Sequence, residues 1–259
     1  MTTVTTLEPY EDDRGNRIVY SGAPPTGRVS ILFSGERNTL VVDDTARLER
    51  LLVRFDASDG TVRLGASNGR GLGLSVRVGQ DATVTFGDGV STTSFLVVSA
   101  VEGASVTIGD DVMFASGNQV RSDDGHPIFD VLTGQRVNPA RDITVGAHVW
   151  VAREAVLLGG AHVGPGSVIG YRSLVTGRIP NNVVAAGSPA RVVRRDIAWE
   201  RPHLSLTAPS YKPDAWSVQR TEEHWALTVG QDEPRVTVRP RRPLWRRVVR
   251  RVRSAVRRH

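Results

Sequence analysis

Residues 143–178 read ITVGAH VWVARE AVLLGG AHVGPG SVIGYR SLVTGR, a pattern that repeats every six residues. The third place of each hexad is aliphatic: Val145, Val151, Leu157, Val163, Ile169 and Val175. The first is small or aliphatic: Ile143, Val149, Ala155, Ala161, Ser167 and Ser173. The fourth is mostly small, as at Gly146, Ala152, Gly164 and Gly170. Neither a helix nor an ordinary strand keeps such a period. A coil with three flat sides does, each short strand turning one aliphatic side chain into a narrow core while small residues take the corners.

A looser repeat runs upstream. Val42-Asp43, Leu64-Gly65, Phe86-Gly87 and Ile108-Gly109 lie 22 residues apart, and VVDDTA, VTFGDGV and VTIGDDV share a local form. Three six-residue sides make 18, so 22 reads as one coil with a short corner excursion. The solenoid is therefore expected over residues 29–199, with residues 1–28 as an N-terminal cap, because stacked coils must cover both ends of their core. The beat breaks once, over residues 121–142, a stretch too long for a corner. A long loop inside a compact repeat is usually functional. Its Ile128, Phe129 and Val131 predict that it packs against something. Residues 200–240 form a mixed extension. Residues 241–259 place Leu244, Trp245, Val248, Val249, Val252 and Val256 at helical spacing opposite arginines, a basic amphipathic tail helix.

The chain has 259 residues and no cysteine, which excludes a disulfide framework, a thiolate metal site and a thiol nucleophile. Its net charge of +6 is misleading, since residues 241–259 hold nine arginines and no acid; without them the formal charge is about −3, too small for a bulk polyanion binder. The opening MTTVTTLEPYEDDRGNR lacks a basic start followed by an apolar run, so no secretory signal is expected. We expect a cytoplasmic protein, with the tail touching an anionic inner membrane face; nucleic-acid binding and a disordered solubilising tail remain alternatives. His148 and His162 invite a metal reading, but the histidines lack the close pair that a convergent zinc site on such a coil requires, so no metal is expected.

The hexads, SDDGHPIFD at 122–130, TGQRVNP at 133–139, HVWVA at 148–152, SVIGYRSLVTGRIPNNVVAAGSPARVVRR at 167–195 and Trp199 together resemble the hexapeptide-repeat acyltransferases. Within them the chain is most similar to O-acetyltransferases of bacterial capsule and surface polysaccharides, over residues 15–199. The resemblance implies an all-β fold, a left-handed parallel β-helix solenoid with an inserted active-site loop and, here, a C-terminal helical tail. It implies acetyl transfer from acetyl-CoA, used as co-substrate, to a sugar hydroxyl, in a homotrimer whose sites lie in the grooves between subunits.

His126 is implied as the general base, a role that suits imidazole because its pKa lies near working pH. Asp130 best matches the pattern of a carboxylate that orients that ring; Asp123 and Asp124 are alternatives, and Asp124 is also a candidate for binding substrate. The backbone N–H of Arg153 is implied as the donor that stabilises the tetrahedral oxyanion. Trp150 would wall the thioester arm or the acceptor, or simply cover a corner. Coenzyme A is implied to lie along Ala152, Gly170, Tyr171, Thr176, Arg178, Arg191 and Arg194, the arginines serving phosphates. Relatives carry smaller residues at 152–153 and 171–172, so Arg153 and Tyr171 depart from the pattern. Another small acceptor, or a silent β-helix scaffold, stay open as alternatives.

Overall fold

The computed structural model describes residues 1–203 and 223–230. The described chain is built of strands and turns that wind into a parallel β-helix with three sheets. Sheet A has eight strands, sheet B nine and sheet C six. The basic tail helix expected over residues 241–259 lies outside the described residues.

The upstream repeat is literal in the register. In sheet B, Thr39 pairs with Thr61, Thr61 with Thr83 and Thr83 with Ser105, one coil of 22 residues at each step. The extra residues do not form a corner excursion. They lengthen the strands: six to eight residues in sheet A and four in sheet B, against two or three after Gln119. From Gln119 to Val156 the step is 37, which includes the inserted loop, and from Val156 to Leu174 it is 18. The coil also reaches further back than residue 29. Arg17–Val19 already runs parallel to Thr39–Val42, while Thr2–Val4 and Tyr10–Glu11 pair antiparallel.

The core is a set of columns, one side chain per coil. On sheet A the column is Ile31, Val53, Val76, Val98, Val120, Leu157 and Val175, all essentially buried. The six third-place aliphatics of the strict hexads are all buried, as are the six first-place residues. Alternation explains this: successive side chains of a strand face opposite sides, so each strand gives one row to the core. A buried polar column caps the N-terminal coils. Asn16 and Asn38 are fully buried; the Asn38 amide donates to Asn16 Oδ1 at 3.0 Å and to the Ala57 carbonyl at 2.9 Å. Each satisfies a carbonyl that the turn leaves pointing inward.

At the C-terminal end the antiparallel hairpin of Val184–Gly187 and Ala190–Arg194 ends the coil. Residues 223–230 lie across this end, where Asn182 Nδ2 donates to the His224 carbonyl at 2.6 Å and Thr228 N to Asp196 Oδ1 at 2.8 Å.

Candidate active site

The inserted loop leaves sheet A after Gln119–Arg121 and rejoins sheet B at Ile143–Val145. Its centre is a small antiparallel hairpin. Val137 N donates to the Ile128 carbonyl at 2.8 Å and Asp130 N to the Gln135 carbonyl at 2.9 Å. The expectation that its apolar residues pack is not met within one chain. Ile128, Phe129 and Val137 are over half exposed, and Val131 and Leu132 are almost fully so. The hairpin turns them outward because its backbone pairs only with itself, leaving no second layer to cover them.

His126 sits on the exposed shoulder of this loop, and its imidazole makes no hydrogen bond among the described residues. What is fixed is its backbone. Asn138 Nδ2 donates to the His126 carbonyl and to Asp124 Oδ2, both at 2.9 Å, and Asn138 Oδ1 accepts from Ile128 N at 2.7 Å. Asn138 thus clamps both flanks of His126, a role the sequence reading missed. Asp130 makes no hydrogen bond to the imidazole. Its Oδ1 accepts from Leu132 N and Thr133 N, each at 2.9 Å, and these backbone bonds hold its carboxyl below the usual range. It caps the hairpin turn in the manner of an Asx turn.

Asp123 anchors the loop. Its buried carboxylate accepts from Ser99 Oγ at 2.6 Å and from Gly125 N at 3.0 Å, and lies 3.7 Å from Arg77. A second tie holds the return limb. Arg136 pairs with Glu102 at 2.7 Å, and Glu102 also accepts from Ala140 N at 3.1 Å.

Arg153 lies at another corner. It stands in the turn between Trp150–Val151 of sheet C and Val156–Leu158 of sheet A. Glu154 has a φ of +60°, Arg153 is not among the residues of positive φ, and Ala155 N reaches the Ala152 carbonyl at 3.3 Å. This is a type II turn with Arg153 at its second place. The Arg153 N–H has no acceptor among the described residues. The loop of His126 is rooted where A meets B, and Arg153 where C meets A. The width of sheet A therefore separates the two roots within one chain.

Trp150 points outward from sheet C, a little over one third exposed, and leans on Trp199 with ring centroids 6.0 Å apart. Behind it is a cluster that the sequence did not reveal. His148 is buried and stacked between Trp199 (4.2 Å) and His224 (4.3 Å). Its Nδ1–H donates to Asp111 Oδ2 at 2.6 Å and its Nε2–H to the Trp199 carbonyl at 2.9 Å. Neither partner offers a proton, so both ring nitrogens are donors and His148 is an imidazolium. Burial alone would lower its pKa; the bonds to Asp111 and Trp199 outweigh this and raise it. Arg201 closes the cluster by pairing with Asp111 and donating to Ser91 Oγ at 2.9 Å.

The residues implied for coenzyme A line the last coils. Ala152 is half-buried; its N–H donates to Ile169 O at 2.9 Å. A side chain on Gly170 would come within 2.9 Å of Ala186 Cβ, so glycine there serves close coil packing. Tyr171, Thr176 and Arg178 are exposed, and Tyr171 lies under the Arg172 guanidinium at 5.1 Å. Arg191 and Arg194 are exposed on the terminal hairpin, where Arg191 Nη1 donates to the Ala190 carbonyl at 2.8 Å.

A three-sheet parallel β-helix of short coils, broken by one long insertion, is the architecture of the hexapeptide-repeat type. The chain belongs to the hexapeptide-repeat acyltransferase family, and within it to the group that includes the polysialic acid O-acetyltransferases. Its sequence is 31% identical to the crystal structure of the polysialic-acid-specific acetyltransferase NeuO, with a TM-score of 0.54, covering 73% of this chain and 86% of that one. It is 35% identical over 129 residues to a polysialic acid O-acetyltransferase of Escherichia coli O1:K1 / APEC, covering 50% of this chain and 39% of that protein. It is 29% identical over 156 residues to the putative lipopolysaccharide biosynthesis O-acetyl transferase WbbJ of Escherichia coli K12, covering 56% and 78%. No family model matches the chain. This chain spans well under half the length of the Escherichia coli O1:K1 / APEC enzyme.

Proposed function

We propose that the protein is an acetyl-CoA-dependent O-acetyltransferase that modifies a sugar hydroxyl of a cell-surface polysaccharide or its precursor. The observation that carries this reading is the likeness to NeuO across most of both chains, with the His126 loop inserted into an otherwise regular coil. In the mechanism we infer, His126 takes the proton from the sugar hydroxyl as its oxygen attacks the thioester carbonyl. The oxyanion of the tetrahedral intermediate accepts a hydrogen bond from the free Arg153 N–H. The carbon–sulfur bond then breaks, and the His126 imidazolium returns its proton to the departing thiolate. The chain has no cysteine to carry an acyl group, and direct transfer requires none. Exposed Arg178, Arg191 and Arg194 supply charge for the phosphates of coenzyme A, Gly170, Tyr171, Thr176 and Ala152 border its path, and Asp124 and Trp150 border the acceptor.

We infer a cyclic homotrimer in which each site is shared. The separate corners of His126 and Arg153, and the uncovered apolar residues of the loop, support it. A neighbour packed against the loop covers Phe129 and Leu132 and offers its own Arg153 turn. The protein works in the cytoplasm, and the arginines of residues 241–259 hold it at an anionic membrane face. Thiol release from acetyl-CoA in the presence of polysialic acid and lipopolysaccharide glycans tests the activity; no release with any acceptor would overturn it. Co-sedimentation with anionic vesicles, with and without residues 241–259, tests the membrane contact; equal binding would discard it.

A further inference from the structure

We propose that Asn118 is a positioning residue that aims the oxyanion-binding N–H of Arg153; this rests on the mechanism inferred above. Asn118 is buried just before Gln119–Arg121, one coil before the Arg153 turn. Its Nδ2 donates to the Ala152 carbonyl at 2.7 Å and to the Ala155 carbonyl at 3.2 Å. The Ala152 carbonyl and the Arg153 N–H belong to one peptide unit. That unit is planar and trans, so its C=O and N–H point in opposite directions. Drawing the carbonyl inward to Asn118 turns the N–H away from the coil, where no residue described here accepts it.

The amide cannot serve equally well the other way round, since Oδ1 would then face two carbonyl oxygens. The observed orientation leaves Asn118 Oδ1 buried with no partner among the described residues. Stability alone does not call for asparagine here. Ala155 and Ser173 hold the corresponding place in the next two coils, before Val156–Leu158 and Leu174–Val175. The Asn16–Asn38 column resembles it but differs in the telling respect: Asn38 Oδ1 accepts from Gly60 N at 2.8 Å, so that column is fully paired.

The test is a double-mutant cycle on the full chain, reading thiol release from acetyl-CoA with water or polysialic acid as acceptor. Arg153→Pro removes the N–H while suiting the second place of a type II turn. It is expected to lower kcat by about 100-fold or more. Asn118→Ala is expected to lower kcat by about tenfold or more, through misplacement of the donor, with KM for acetyl-CoA changed by less than about twofold. In the Arg153→Pro background Asn118→Ala should cost nothing further, because the group it positions is gone. Asn118→Ser, the residue found at 173, is a second variant with the same expected loss should the alanine variant fold poorly. Asn38→Ala is the control, losing thermal stability without losing kcat. Unchanged turnover in Arg153→Pro, or no thiol release by the wild type, would overturn the inferred mechanism itself. A large loss in Arg153→Pro, with Asn118→Ala unaffected or with the two losses multiplying, would overturn the role of Asn118 alone.

Discussion

Asn138 holds His126 by its backbone: the Asn138 amide donates to the His126 carbonyl at 2.9 Å while its oxygen accepts from Ile128 N, two residues on. Three bonds from one side chain therefore set the local path of the loop. Asn138→Ala is expected to lower kcat/KM by about 10- to 100-fold, since small displacements of a general base are costly. The melting temperature should barely move, because the loop is exposed and buries little. Steady-state kinetics beside thermal unfolding check both halves; unchanged kcat/KM would show that the loop is held some other way.

Asp123 ties the loop to sheet A through Ser99, with Arg77 beside it. Asp123→Ala leaves the buried Ser99 hydroxyl without its acceptor, while Arg77 keeps its 2.6 Å pair with Asp56, and is expected to cost about 1–3 kcal/mol of stability. Asp123→Asn keeps the shape and should cost less. Denaturant unfolding ranks the pair, and the reverse order would contradict the anchoring role.

The His148 imidazolium gives the fold a signed pH dependence. Its pKa is raised on folding, so its contribution is complete below the ordinary imidazole value of about 6.5 and is lost as pH climbs through the raised value. Asp111 has the opposite sense. Burial raises its pKa, but the His148 bond and the Arg201 charge more than offset this, so its contribution fades only at acid pH. The stacked His224 is lowered, by burial first and then by the His148 charge, and it too matters on the acid side. As pH rises above about 6.5, the wild type should lose more thermal stability than His148→Gln, which cannot titrate. Parallel melting curves for the two proteins would remove the imidazolium from the account.

The exposed hairpin residues predict an assembly. Val131→Asp combined with Leu132→Asp places charge on side chains that are 94% and 88% exposed in one chain, so the subunit fold should survive. If a second copy covers them, sedimentation will show a trimer for the wild type and smaller species for the variant. Identical profiles would leave the hairpin outside any interface.

The repeat was legible because each coil commits one aliphatic side chain to the core at a fixed step, so Val145, Val151 and their successors print the fold directly into the sequence. The single break pointed to the His126 loop for the same reason. Longer strands and a corner excursion give the same 22-residue spacing, so spacing alone does not tell which of the two fills the early coils. Asp111, His148 and Arg201 were not legible as a unit. They meet only because the coil stacks His148 near Asp111, 37 positions apart, and the chain beyond the last hairpin brings Arg201 to Asp111 from 90 positions away, and no local pattern marks such a meeting. Asn118 and Asn138 look like any polar residue beside a turn; only the carbonyls they reach give them meaning. Asp130 shows the converse: its place in the motif suggested the histidine, and its own turn captured it.

Acetyl transfer by the wild type against His126→Ala is the most direct test of the central claim. With acetyl-CoA and a surface-polysaccharide acceptor, the wild type should release thiol and acetylate the glycan. His126→Ala should fold normally and turn over about 100- to 10,000-fold more slowly, the range for removal of a general base. Equal turnover by the two proteins would contradict the assignment of His126 as the base.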